Sequence, residues 1–139
     1  MLPSEQTSMP TDWNGVADKS ITLATLAGMK FDRTFISVKA GDRVKFTFYN
    51  NDDMPHNFVI VKPGKMATVG QAAAALGLQG PALEYVPNSS DVLYHSKLVG
   101  PGISETIYFR APSEAGTYTY VCTFPGHWRS MNGSLRVLP

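Results

Sequence analysis

Ten residues near the C-terminus concentrate the metal chemistry of this chain. The run Cys122-Thr123-Phe124-Pro125-Gly126-His127-Trp128-Arg129-Ser130-Met131 holds the only cysteine, one of three histidines and one of six methionines. Thiolate, imidazole and thioether are soft to borderline ligands. A trigonal His₂Cys set with a long, weak axial Met suits a copper ion that exchanges electrons. The loop supplies three of those four ligands and lacks a second histidine. His56, in Met54-Pro55-His56-Asn57-Phe58, is the candidate that completes the set. Each residue alone has a plainer reading, since a lone cysteine is usually an inert buried residue and methionine is common core filler. Their company on one loop is what favours ligation.

The elements around the loop must bring these residues together. Thr117-Tyr118-Thr119-Tyr120-Val121 reads as a strand ending in Cys122, and Gly133 followed by residues 134–138 as the returning strand. The loop between them then folds over one end of a sheet pair, with Pro125-Gly126 as its tight turn. His56 stands at the start of a strand running to Val61. Asn57, next to it, is placed to hydrogen-bond to the cysteine loop, with Thr123 sharing the bond; the alternative is that Asn57 serves a local turn. Backbone amides near the Cys122 sulfur would raise a reduction potential.

Further strands are expected at 21–25, 31–38, 44–48, 92–94 and 105–109, separated by Gly, Pro and Asn/Asp turns. Residues 66–79 differ. They are alanine-rich, with Leu76 and Leu78, and predict a short helix limited by Gly77 and Gly80-Pro81, a flap over one side of a barrel. Residues 1–18 are polar and turn-rich and read as a flexible arm, leaving 19–139 as the single domain. Many short strands between turns argue for an all-β antiparallel sandwich or barrel.

Composition removes several classes. The 139 residues suffice for one domain that buries roughly two-thirds of its unfolded surface. The net charge of +1, with no basic run, leaves no footprint for nucleic acid or an anionic membrane. No segment reaches the ~18 apolar residues of a membrane span. The first residues have neither the basic region nor the apolar core of a secretory signal. One cysteine cannot form an internal disulfide.

The ligand loop resembles that of the cupredoxins, and most closely the azurin and auracyanin group. Cys122 to His127 followed by Met131 is similar to the azurin ligand loop in sequence and spacing. Met54-Pro55-His56-Asn57-Phe58 resembles the first-histidine segment. Leu93-Tyr94-His95-Ser96-Lys97-Leu98-Val99-Gly100 resembles a stretch after the helical flap, and Met131-Asn132-Gly133-Ser134-Leu135 the closing strand. The resemblance implies an eight-stranded Greek-key β-sandwich with a short helical flap insertion, holding one copper ion and cycling it between Cu(II) and Cu(I). It implies His56, Cys122 and His127 as equatorial ligands and Met131 as the axial one. It also implies transient redox partners, a monomer, and a periplasmic place or the outer face of a bacterial membrane, with a tether through the N-terminal arm as in auracyanin-like proteins.

Two departures stand out. Azurins carry a disulfide that this chain cannot make. They also have glycine before the first histidine, where Pro55 stands here; its fixed φ puts the weak fifth contact in doubt, and a four-coordinate site is expected. Phe124, Pro125, Trp128, Met54 and Pro55 form an apolar collar around an outward-facing His127 edge, the expected docking patch. Trp128 has the alternative role of shielding the metal. His95 is either a plain surface residue or a group titrating near neutral pH that tunes the centre. Rival readings are weak: a second catalytic copper lacks ligands, a Cys122–His127 thiol enzyme is conceivable, and a copper carrier would need clustered rather than scattered methionines.

Overall fold

A computed structural model describes residues 6–139. Among the described residues the chain forms nine strands, β1 Lys19–Leu26, β2 Lys30–Phe31, β3 Phe35–Lys39, β4 Arg43–Tyr49, β5 Val59–Val61, β6 Val92–His95, β7 Ser104–Arg110, β8 Gly116–Val121 and β9 Asn132–Leu138. The helix α1 spans Met66–Ala74. The strands make a four-stranded sheet ordered β2-β1-β4-β7 and a five-stranded sheet ordered β3-β9-β8-β5-β6. β1 with β4 and β3 with β9 are parallel; the remaining pairs are antiparallel.

The ninth strand comes from a segment that periodicity alone reads as one, residues 31–38. It splits because the chain changes sheets there. β2 pairs with β1, whereas β3 pairs with β9. Asp32 marks the crossing: its N–H donates to the Ala24 carbonyl at 2.8 Å, and its carboxylate accepts the Ala24 N–H at 2.9 Å. The architecture remains the expected all-β sandwich, with one more strand.

Alternation drives the core. In β4, Val44, Phe46 and Phe48 are buried while Lys45 and Tyr49 are exposed. These side chains meet Ile36, Tyr118, Tyr120, Leu135 and Val137 from the opposite sheet. Phe46 stacks on Phe58 with centroids 4.1 Å apart. Tyr120 lies across Gly133, its cross-strand partner, where a Cβ would meet the ring at 2.3 Å. Its hydroxyl donates to the Arg33 carbonyl at 2.6 Å.

β5 breaks the alternation, since Val59, Ile60 and Val61 are all buried. Ile60 faces the core between the sheets. Val59 and Val61 face outward beside Val121 of β8, and Val69 and Val86 cover them. That cover is the flap. Val69, Gly70 and Ala73 form the buried stripe of α1 at helical spacing. The helix stops at Ala74, short of residue 79, and Gly77 follows with φ at 56°, outside the helical region.

Within the segment read as an arm, Trp13 is buried and its ring meets Tyr108 edge-on at 6.3 Å. Asp18 pairs with Arg43 through contacts of 2.8 and 2.9 Å. This part of the arm is docked on the sandwich rather than loose.

Candidate metal centre

The two ligand segments leave adjacent strands of one sheet. β5 and β8 pair antiparallel with Val59 opposite Val121. Because side chains alternate, residues 56, 58 and 60 point to one face, as do 118, 120 and 122. Phe58, Ile60, Tyr118, Tyr120 and Cys122 accordingly lie in the inter-sheet core. Asn57 and Thr123 fall on the flap side. Extending the register past the strand ends sets these two opposite each other, and there the backbone ladder is replaced by side chains. Asn57 Oδ1 accepts the Thr123 N–H at 2.8 Å, and Asn57 Nδ2 donates to Thr123 Oγ1 at 3.0 Å.

The clasp extends into the flap. Asn57 Nδ2 also donates to the Glu84 carbonyl at 3.1 Å, and Thr123 Oγ1 to the Tyr85 carbonyl at 2.7 Å. Glu84 and Tyr85 both hold positive φ, 55° and 58°, an uncommon conformation for such residues. Their two carbonyls serve one polar cluster. Asn57 therefore ties three segments together, which exceeds the local turn that was its alternative.

The cysteine loop folds on its own sequence. Pro125 and Gly126 occupy the centre of a type II turn, with Gly126 at φ 85° and the His127 N–H bonding to the Phe124 carbonyl at 3.0 Å. The Met131 N–H then bonds to the His127 carbonyl at 2.9 Å, and the Cys122 N–H to the Met131 carbonyl at 3.0 Å. Both bonds return Met131 to the side of Cys122, where it is fully buried. His56 is held by a two-way bridge to Val99, with N–H···O distances of 3.1 and 2.8 Å.

His56 Nδ1 and His127 Nδ1 each lie 3.7 Å from Cys122 Sγ, and 3.2 Å from each other. A point equidistant from these three atoms is about 2.1 Å from each, close to the ~2.0–2.1 Å of a zinc–nitrogen bond and slightly short of ~2.3 Å for zinc–sulfur. The residues thus fit one transition-metal ion. Among the described residues, this is the cluster of His, Cys, Asp and Glu able to hold one; His95 lies outside it. His95, at the end of β6, instead pairs with Val59 of β5, its Nδ1 close to the Ser96 carbonyl at 2.9 Å.

The centre is dry. His56, Cys122 and Met131 have no exposed surface and His127 is 3% exposed, so its outer edge is nearly closed rather than open. The Phe124 ring covers it, 5.0 Å away, and Tyr85 backs Phe124 edge-on at 5.2 Å. Trp128 is half-buried: its indole lies against Gly70 of α1, with Arg129 over the ring at 4.4 Å. Pro125 is exposed, and Met54 and Pro55 are half-buried.

Electrostatics follow from this burial. Without a metal, desolvation pushes the Cys122 thiol up to about 11, against the opposing pull of the Asn57 and Phe124 amides. Burial first, then the neighbouring His56, lowers the pKa of His127. One contributor was missed from sequence. Asp52 Oδ2 lies 2.8 Å from His56 Nε2, and this bond lowers the Asp52 pKa. Its only signal was a carboxylate four residues before the histidine, inside a stretch that reads as a polar break.

Comparison with known proteins agrees with this geometry. A family model described as copper binding proteins, plastocyanin/azurin family, matches residues 18–138. Auracyanin-A of Chloroflexus aurantiacus is 39% identical over 111 residues, covering 78% of this chain and 67% of the relative. Its solved structure, titled as a "blue" copper protein, superposes with a TM-score of 0.78 at 35% identity, over 85% of this chain and 97% of that one. The dithionite-reduced auracyanin of Roseiflexus castenholzii gives a TM-score of 0.79 at 33% identity, over 89% and 100% of the two chains. Auracyanin-B of Chloroflexus aurantiacus is 32% identical over 114 residues, which are 80% of this chain and about half, 48%, of that relative.

Proposed function

Because this chain belongs to the plastocyanin/azurin family of copper-binding proteins, we propose that it holds one copper ion between His56, Cys122 and His127, with Met131 as axial ligand, and carries single electrons between redox partners. The observation behind this assignment is the convergence of one thiol and two imidazole nitrogens on a point closed to water. Copper at that point would supply a centre that alternates between Cu(II) and Cu(I).

The chain's own residues limit rearrangement between those states. His127 is held by the type II turn and the return turn to Met131. His56 is held by Val99 on its backbone and Asp52 on its ring. The Asn57–Thr123 clasp fixes the spacing between the two segments. The amides of Asn57 and Phe124 aimed at Cys122 Sγ favour a thiolate there.

A closed centre has no place for a substrate, which supports a carrier rather than an enzyme. A buried thiol with a raised pKa is also a poor nucleophile. Electrons then enter and leave through the thin cover over His127. Phe124, Pro125, Met54 and Trp128 form the docking patch, with Pro125 its exposed point. The interface is small, at or below ~1,200 Å², as suits a transient encounter. We place the protein, a monomer, in the periplasm or on the outer face of a bacterial membrane. No helix among the described residues is long and apolar enough to cross a membrane.

Adding one equivalent of Cu(II) to the metal-free protein tests the assignment. An intense blue band with narrow copper hyperfine splitting is expected, and its loss in Cys122→Ser. A pale solution with ordinary splitting would overturn it.

A further inference from the structure

Asp52 sits on a loop built with unusual care. Asn50, 1% exposed, accepts the Asp52 N–H at 3.0 Å and the Thr25 hydroxyl at 3.2 Å through its Oδ1. Its Nδ2 donates to the Met54 and Val99 carbonyls, both at 2.8 Å. The loop is thereby fastened to the same residue, Val99, that bridges His56. The Asp52 side chain is 10% exposed, and its carboxylate meets an imidazole with no exposed surface.

We infer that Asp52 is a positioning residue that sets the reduction potential of the centre through His56, and that it lowers that potential. Two effects act through the one 2.8 Å contact. The carboxylate accepts a hydrogen bond from the ring N–H at Nε2, which leaves Nδ1 bare toward the metal and fixes the ring plane. Its negative charge also favours the more positive of the two metal states, in a site where screening by water is weak. The electron gained by Cu(II) comes from the donor protein, and no bond to Asp52 forms or breaks. The inference rests on the copper assignment above.

The test uses the copper-loaded protein and its Asp52→Asn, Asp52→Ala and Asp53→Asn variants in a spectroelectrochemical titration. Asp52→Asn keeps an acceptor oxygen and removes the charge. At a fixed applied potential it is expected to shift the Cu(II)/Cu(I) ratio three- to tenfold toward Cu(I), tenfold being about 59 mV for a one-electron couple. Asp52→Ala should shift it at least as far and weaken copper binding by roughly 10- to 100-fold. Asp53 is exposed on the same loop, and its variant should move the ratio less than about twofold because solvent screens it.

A wild-type ratio in Asp52→Asn, or an equal shift in Asp53→Asn, would overturn the inference while the blue band stands. A wild-type protein without the blue band would overturn the copper assignment and the inference with it. The unsubstituted metal-free protein gives an independent readout by long-range ¹H–¹⁵N spectroscopy. The His56 ring proton should be on Nε2, and a proton on Nδ1 would refute the role.

Discussion

Gly70 and Trp128 form a coupled pair whose sign of effect reverses with the partner. Gly70 lies mid-helix in α1, and a Cβ there would meet Trp128 Cγ and Cδ2 at 2.4 Å and Cδ1 at 2.8 Å. The indole has little freedom to retreat. It packs against the valines beneath the flap, and the Trp128 carbonyl is tied to Asn132 at 3.1 Å. Gly70→Ala therefore overpacks the contact, at a cost of ~1–3 kcal/mol. The same change improves helix propensity by ~0.5–1 kcal/mol. The net expectation is a loss of about 1–2 kcal/mol, which lowers the midpoint of thermal unfolding by roughly 3–8 °C for a chain of this length. In a Trp128→Ala background the clash is gone and only the propensity term remains, so Gly70→Ala should stabilise by ~0.5–1 kcal/mol. Equilibrium urea unfolding of the four metal-free proteins completes the cycle. A coupling energy near ~2 kcal/mol is expected. Additivity within ~0.5 kcal/mol would refute the claim that the flap and the ligand loop are locked through this contact.

Asn57→Ala leaves the buried Thr123 N–H and the half-buried Glu84 carbonyl without their partner, at about 1–3 kcal/mol for each group that water cannot reach. Thermal unfolding of the metal-free protein should register about 3 kcal/mol, and a loss below ~1 kcal/mol would contradict the clasp. Alkaline pH should destabilise the metal-free protein through Cys122, whose thiol is raised from 9.0 to about 11 on folding. The unfolded chain releases this proton first, so stability falls as pH rises from 9 toward 11; the part due to Cys122 is about 1.4 kcal/mol by pH 10. Unfolding curves of wild type and Cys122→Ala should diverge by that amount between pH 8 and 10, and parallel curves would refute the burial argument. Met54→Lys places like charges face to face when two copies meet through the docking patch. Electron self-exchange should slow on the order of tenfold at low salt and recover with added salt. An unchanged rate would move docking elsewhere on the surface.

Much of this protein was legible before its structure. Donor chemistry is a property of residue type, so Cys122, His127, Met131 and His56 stand out by identity and spacing. The type II turn follows from Pro125-Gly126, because proline presets φ for the first central position and glycine takes the positive φ of the second without strain. The alternation of Val44, Phe46 and Phe48 announces a half-buried strand in β4. Residues 31–38 misled because periodicity reports which side chains face inward, and both sheets share one interior. Nothing in that pattern says that Phe31 and Ile36 line opposite sheets.

What the tertiary structure alone decided is register. The pairing of Val59 with Val121 sets which residues face each other beyond the strand ends. From it follow the inward pair His56 and Cys122 and the outward clasp of Asn57 with Thr123. A slip of one residue would exchange those faces and disperse the centre. The Asp52 carboxylate on His56, and the seat of Trp128 on Gly70, likewise depend on how separate segments meet. Sequence by itself singled out the candidate ligands, because donor chemistry is local to a side chain. Only the fold determined their separation and their surroundings, because both arise from packing between segments that share no local signal.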